Sequence, residues 1–166
     1  SAQWEGNGFN DDIMWITIAC ARAYEATGNQ TYLDQAKRHF DIVYERAWDT
    51  TVFGGGMFWT IANKNKNSCI NGPAAVAACL LGEALQDESY YETAKRIIDW
   101  QRANLVEVET GKVYDAWNST GSGANQAEYE LNTWASTYNQ GTWIGACTLL
   151  YLHTGEQQYF DDAKLA

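Results

Sequence analysis

Thr27-Gly28-Asn29-Gln30-Thr31-Tyr32, followed by Ala36-Lys37, returns twice along the chain. Gln86-Asp87-Glu88-Ser89-Tyr90 leads to Ala94-Lys95, and Thr154-Gly155-Glu156-Gln157-Gln158-Tyr159 leads to Ala163-Lys164. Each copy sets a turn, then a tyrosine, then Ala-Lys at one offset. Turn residues followed by polar cap-formers end one helix and start another. Recurrence of the whole unit signals a repeat architecture.

The helices on the two sides of each turn differ in kind. Before it, Ile13–Tyr24, Ala74–Leu85 and Trp143–Leu152 are apolar nearly all round. After it, Leu33, Ala36, Phe40, Val43, Tyr44 and Ala47 form one stripe, with Asp34, Lys37, Arg38 and Asp41 off it. Tyr91, Ala94, Ile97, Ile98 and Leu105 repeat the stripe. An all-round apolar helix must be enclosed, whereas a striped one faces water. Alternation of the two predicts an all-α chain in two layers, an α/α solenoid or closed toroid. Inner helices are expected to start near Asn10, Asn71 and Asn139, and outer ones to span about Thr31–Ala47 and Glu88–Leu105. A twelve-helix ring needs roughly 250 residues, and this chain has 166. Five helices and the start of a sixth fit. Residues 1–166 therefore read as one partial domain, an open arc whose inner apolar faces are exposed or covered by another chain.

Composition narrows the function. Aromatics are 14% of the residues, with 8 Trp and 10 Tyr, which suits a core and also a sugar cleft. A net charge of −10 argues against nucleic acid or an anionic membrane surface, which both require basic patches. No apolar run reads as a membrane span and none as a signal peptide. The four cysteines form no CxxC and no Cys/His spacing suited to zinc, so no metal or cofactor is expected. Cys20, Cys79 and Cys147 fall in apolar runs and read as buried free thiols. His39 and His153 are isolated and read as surface or capping residues. Asn29-Gln30-Thr31 and Asn118-Ser119-Thr120 are glycosylation sequons, which carry weight only in a secreted eukaryotic protein.

Parallel inner helices gather their N-termini at one end. Phe9-Asn10-Asp11-Asp12, Lys66 to Pro73 and Ser136 to Gly141 enter them, all rich in side chains that bond sugar hydroxyls. Asn10 is a good N-cap residue, which puts Asp11 and Asp12 in the first turn. Acids there are common because they complement the helix dipole. Adjacent carboxylates at a helix mouth also meet the separation of about 5 Å that a retaining glycosidase uses. Two long connections reach the same end. Thr50–Asn67 carries Gly54-Gly55-Gly56-Met57-Phe58-Trp59, and Val106–Thr137 carries Val113-Tyr114-Asp115. The glycines allow positive φ or close approach, and Phe58-Trp59 and Tyr114 suit short strands or sugar stacking. Gly121–Asn125 reads as a mobile tip without chemistry. Asp11 and Asp12 are thus expected in a cleft with Asp115, Trp59, Asn71 and Tyr138.

The order Asn10-Asp11-Asp12, Gly54-Gly55-Gly56-Met57-Phe58-Trp59, Lys66-Asn67 with Asn71-Gly72, Val113-Tyr114-Asp115 and Thr137-Tyr138-Asn139-Gln140-Gly141 resembles glycoside hydrolase family 76. These are bacterial endo-α-1,6-mannanases, with fungal relatives that act in cell-wall mannoprotein crosslinking. The resemblance implies an (α/α)6 toroid, of which this chain is about half. It implies hydrolysis of α-1,6-mannosidic bonds with retention, Asp11 as nucleophile and Asp12 as acid/base. It places Asp115 against the mannose of the −1 subsite, although the family's Tyr-Asp-Gly reads Tyr114-Asp115-Ala116 here. It implies an α-mannan or mannose-containing oligosaccharide as partner and a secreted or cell-surface location. The family's terminal helices have no counterpart in these residues.

Three other readings compete. A transglycosylase of the same fold would join mannan-containing glycans. A non-catalytic helical-repeat, glycan-binding scaffold would let Asp11 and Asp12 cap a helix and diverge into solvent. An epimerase or unsaturated-uronyl hydrolase on an α/α toroid is the third, and an epimerase would want catalytic His on inner helices.

Overall fold

The three repeated turns close alike. Gly28, Gln86 and Gly155 each take the left-handed conformation, at φ 68°, 53° and 71°. Each returns its N–H to the carbonyl four residues back, on Tyr24, Gly82 and Tyr151. That satisfies a carbonyl the ending helix would leave bare. Asn29 and Asp87 then cap the next helix by accepting the N–H of Thr31 and Ser89, each at 3.0 Å. Glu156 stands in the third cap position without a side-chain capping bond, its carboxylate paired with Lys95 instead.

A computed structural model describes residues 4–166. Its helices are α1 (Asn10–Thr27), α2 (Gln30–Ala47), α3 (Ser68–Leu85), α4 (Glu88–Leu105), α5 (Thr137–Thr154) and α6 (Gln157–Leu165). They pair as hairpins α1–α2, α3–α4 and α5–α6, and α3 lies between α1 and α5. One continuous apolar cluster runs through all six. The inner and outer layers, and the outer boundaries to within a residue, match the expectation.

Enclosure is uneven. Nearly all of α3 is buried, including Ile70, Ala74, Ala77, Ala78 and Leu81. Trp15 on α1 is 42% exposed and Leu152 on α5 is 73% exposed. Among the described residues only α3 has an inner neighbour on both sides, so α1 and α5 each keep one flank without an inner neighbour. α3 also corrects the reading that no run is apolar enough for a membrane. Ser68–Leu85 meets that length and hydropathy, and 78% of it is buried within the protein. The same Ala-rich surface that suits lipid here packs against α1, α2, α4 and α5.

The all-α class holds, and the long loops add five short strands: β1 (Lys66–Asn67), β2 (Val106–Glu107), β3 (Lys112–Val113), β4 (Ala116–Ser119) and β5 (Tyr129–Asn132). They form an antiparallel sheet β1-β4-β5 and a hairpin β2-β3. Pairing satisfies backbone groups that long loops would otherwise leave open. Two further expectations need correction. α3 begins at Ser68 and not near Asn71, so Pro73 lies inside it. The Gly121–Asn125 tip is organised. The Glu128 carboxylate accepts from Ser122 Oγ and Gly123 N at 2.7 Å and from Asn125 Nδ2 at 2.9 Å.

The Asp49–Met57 loop is held from inside. Lys66 is fully buried and its ammonium donates to Asp49 O, Asp49 Oδ2 and Val52 O, each at 2.9 Å, and to Gly55 O. Gly56, at φ 93°, passes so near Trp100 that a Cβ would run into the indole. His39 is buried, not on the surface, and neither ring nitrogen has a hydrogen-bond partner among the described residues. All four cysteines are free, with Cys20 only partly buried.

Candidate active site

The residues ahead of α1 run antiparallel to the segment after the glycines. Phe9 bridges Thr60, Asn10 N donates to Trp59 O at 2.9 Å, and Ile61 N donates to Gly8 O at 3.0 Å. Asn10 is not the N-cap: Phe9 holds that position. The Asn10 amide is committed elsewhere, donating to Phe58 O and accepting from Arg46 Nε, both at 2.7 Å. Asp11 and Asp12 remain in the first turn.

The two carboxylates are held by different donors. The indole Nε1 of Trp59 donates to Asp11 Oδ1 at 3.0 Å. Asn7 Nδ2 donates to Asp12 Oδ2 at 2.9 Å. Burial raises the Asp11 carboxyl above its ordinary value; the Trp59 N–H opposes this and the neighbouring Asp12 charge adds to it. A desolvated carboxyl beside a like charge resists ionising.

The third carboxyl arrives from the other connection. Ser68 N, at the start of α3, donates to Asp115 O at 2.8 Å, and Asp115 N donates to Asn132 O at 3.1 Å. The side-chain amides of Asn132 and Asn139 donate to its carboxylate at 3.0 and 3.5 Å. Burial still lifts Asp115 above the usual range. Asp115 thereby ties α3, β5 and α5 together. The Cys69 thiol is pushed well up by burial and by the charges of both Asp11 and Asp115. Tyr138, 46% exposed, feels Cys69, Asp115 and Asp11. The three inner helices therefore start at one mouth.

Five expected site residues meet there: Asp11, Asp12, Trp59, Asp115 and Tyr138. Asn71 does not join them. It is fully buried, accepts from Met57 N at 3.0 Å and donates to Asn67 O at 2.8 Å. Its amide clamps the glycine loop from beneath and leaves nothing for a ligand. Sequence reading missed Asn132 and Cys69 as neighbours of the acids. Their sole signal is position, Cys69 at a helix entry and Asn132 five residues before α5. Trp134 was also missed, a 60% exposed indole whose backbone N–H is held by Asn132 Oδ1 at 3.1 Å. His153 lies on inner helix α5 but in its last turn, stacked on Tyr91 at 3.4 Å. A hollow of about 690 Å³ opens there, lined by Arg22, Glu25, Cys79, Glu83 and His153, at the end away from the acids. Among the described residues no group of three or more His, Cys, Asp or Glu is placed to hold a metal ion.

The sequence profile of glycosyl hydrolase family 76 matches residues 1–166. The chain belongs to that family. A mannan endo-1,6-alpha-mannosidase, DCW1 of Candida albicans, is 30% identical over 95% of this chain. The α-1,6-mannanase GH76A of Salegentibacter sp. HEL1_6 is 39% identical over 97% of the chain, with a TM-score of 0.89. An inactive variant of that mannanase, with two consecutive aspartates replaced by asparagine, was solved with alpha-1,6-mannotriose and gives a TM-score of 0.88 at 38% identity. The family chain spans 36% of the Candida relative and 46% of the Salegentibacter structure. The three hairpins are thus about half of the family's α/α toroid.

Proposed function

We propose that the protein is a retaining glycoside hydrolase that cleaves α-1,6-mannosidic bonds in mannan through Asp11 and Asp12. The observation that supports this is that Asp11, with Asp12 beside it in the first turn of α1, and Asp115 both bear on Cys69 at the start of α3. The consecutive aspartates missing from the inactive mannanase variant support the same reading. Asp11 attacks the anomeric carbon while Asp12 protonates the departing glycosidic oxygen. Asp12 then takes a proton from water, which displaces mannose from Asp11. Asp115, Trp59 and Tyr138 bind the sugar, and exposed Phe9 and Trp134 flank the opening with aromatic surface. Burial works against the ionised Asp11 that attack requires, and the Trp59 N–H and the helix N-terminus work for it. The proton shared by close acids belongs to the pair. A mannan substrate implies a secreted or cell-surface protein.

The scaffold reading requires Asp11 to point away from the aromatic loop, and its bond to Trp59 argues against that. The test is product analysis of α-1,6-mannan digests by the full-length protein and its Asp12→Asn variant, with NMR of the first anomer formed. Release of α-mannose ends by the wild type alone supports the proposal. β-configured first products, or full activity in the variant, overturn it. A mannoside acceptor in the same digest reports transfer.

A further inference from the structure

One guanidinium on the outer layer reaches both halves of the acid pair. Arg46 lies in the last turn of α2 and is partly buried. It donates through Nη1 to Glu5 O at 3.0 Å, through Nη2 to Asn7 O at 2.8 Å and through Nε to Asn10 Oδ1 at 2.7 Å. Among the described residues it forms no ion pair. A rigid fork of donors spent on three neutral oxygens fixes geometry, since Arg is the side chain preorganised for that.

Two chains of bonds leave this fork. In the first, Asn7 is held by its carbonyl, and its side chain accepts Phe9 N at 2.8 Å and donates to Asp12 Oδ2 at 2.9 Å. In the second, Asn10 is held by Oδ1, and its Nδ2 donates to Phe58 O. Phe58 precedes Trp59, whose indole donates to Asp11 Oδ1. The acids are neighbours on one helix, yet their oxygens are aimed by separate segments. Among the described residues, Arg46 is the side chain that hydrogen-bonds to both segments.

We propose that Arg46 is the positioning residue of the acid pair, aiming Asp12 through Asn7 and Asp11 through Asn10, Phe58 and Trp59. This rests on the catalytic reading of Asp11 and Asp12. Arg46 touches no reacting atom; it sets the angle between attack and proton donation. A small misplacement of such groups lowers turnover by about a hundredfold while leaving sugar contacts alone.

The test uses the full-length protein with an α-1,6-mannooligosaccharide. Arg46→Met keeps the apolar stem and removes the fork. Asn7→Ala cuts only the Asp12 branch and leaves the helices untouched, so it stays informative if Arg46→Met folds poorly. Each is expected to lower kcat about 10- to 100-fold with KM within about twofold. The double variant is expected to fall little below Arg46→Met, because both changes cut one path. Normal kcat in Asn7→Ala, multiplicative losses in the double variant, or a loss confined to KM overturns the proposal. Asp12→Asn is the control. Should it stay active, the catalytic reading itself falls; should it be dead while Arg46→Met and Asn7→Ala are normal, only the positioning role falls.

Discussion

Burial of the Asp11 carboxyl costs stability at neutral pH. Its folded pKa is raised above the ordinary 3.8 by burial. Such a group stabilises the fold fully only below its unfolded pKa, and the contribution is lost as pH rises through the folded value. Asp11→Asn removes a buried charge and keeps an oxygen for the Trp59 N–H. The variant is expected to melt at a higher temperature than wild type at pH 7, by calorimetry, while turnover falls about a hundredfold or more. His39 has the opposite slope. Burial lowers its pKa from 6.5, with Glu5 at 3.8 Å opposing and Arg38 adding. Its contribution is intact above pH 6.5 and is lost as pH falls from there through the lower folded value. Urea midpoints are expected to drop over that window, and His39→Gln is expected to flatten the drop. Residue placement was legible where neighbours in sequence set it, as with Asp11 and Asp12 in one helical turn. It was illegible where the partner is distant. Asn10 looks like a cap until Arg46, 36 residues on, claims its oxygen.

Elements end and turn by local rules, and these were readable. Gln86 does what Gly28 and Gly155 do, but at φ 53° with a side chain attached. Left-handed backbone strains a non-glycine residue. Gln86→Gly is expected to stabilise the chain by about 0.5–1 kcal/mol in chemical denaturation, less whatever the Gln86 bond to Glu83 O contributes. Gly56→Ala should do the reverse. Positive φ and the Trp100 ring both oppose a methyl there, for a loss of roughly 1–3 kcal/mol. The start of α3 was misjudged because Pro73 and Gly72 look like a boundary. Asn67 and Ser68 begin the helix earlier, since pairing of β1 with β4 delivers the chain there.

At the scale of the molecule, three hairpins make an arc with two bare ends. Trp15 flanks one, and Tyr151, Leu152 and Phe160 flank the other around an apolar groove. Apolar surface of this kind associates when nothing covers it. Residues 1–166 expressed alone are expected to sediment as oligomers whose size rises with concentration. Trp15→Ser with Leu152→Ser is expected to shift them toward the monomer. A monodisperse monomer at all concentrations refutes the open arc.

The sequence by itself determined the helix alternation, the two layers and the adjacency of Asp11 and Asp12. Each follows from short-range periodicity, turn chemistry or chain order, which a linear string records in full. Only the tertiary structure decided that Asn132 and Asn139 hold Asp115 and that Asn71 goes under the loop. It alone decided that Trp59, Asn7 and Arg46 hold the pair. Apart from the Asn7–Asp12 bond, which spans five residues, those outcomes depend on which donor finds which acceptor across 14 to 48 residues of chain. Each buried donor and acceptor must be satisfied, and packing, not local pattern, chooses its partner.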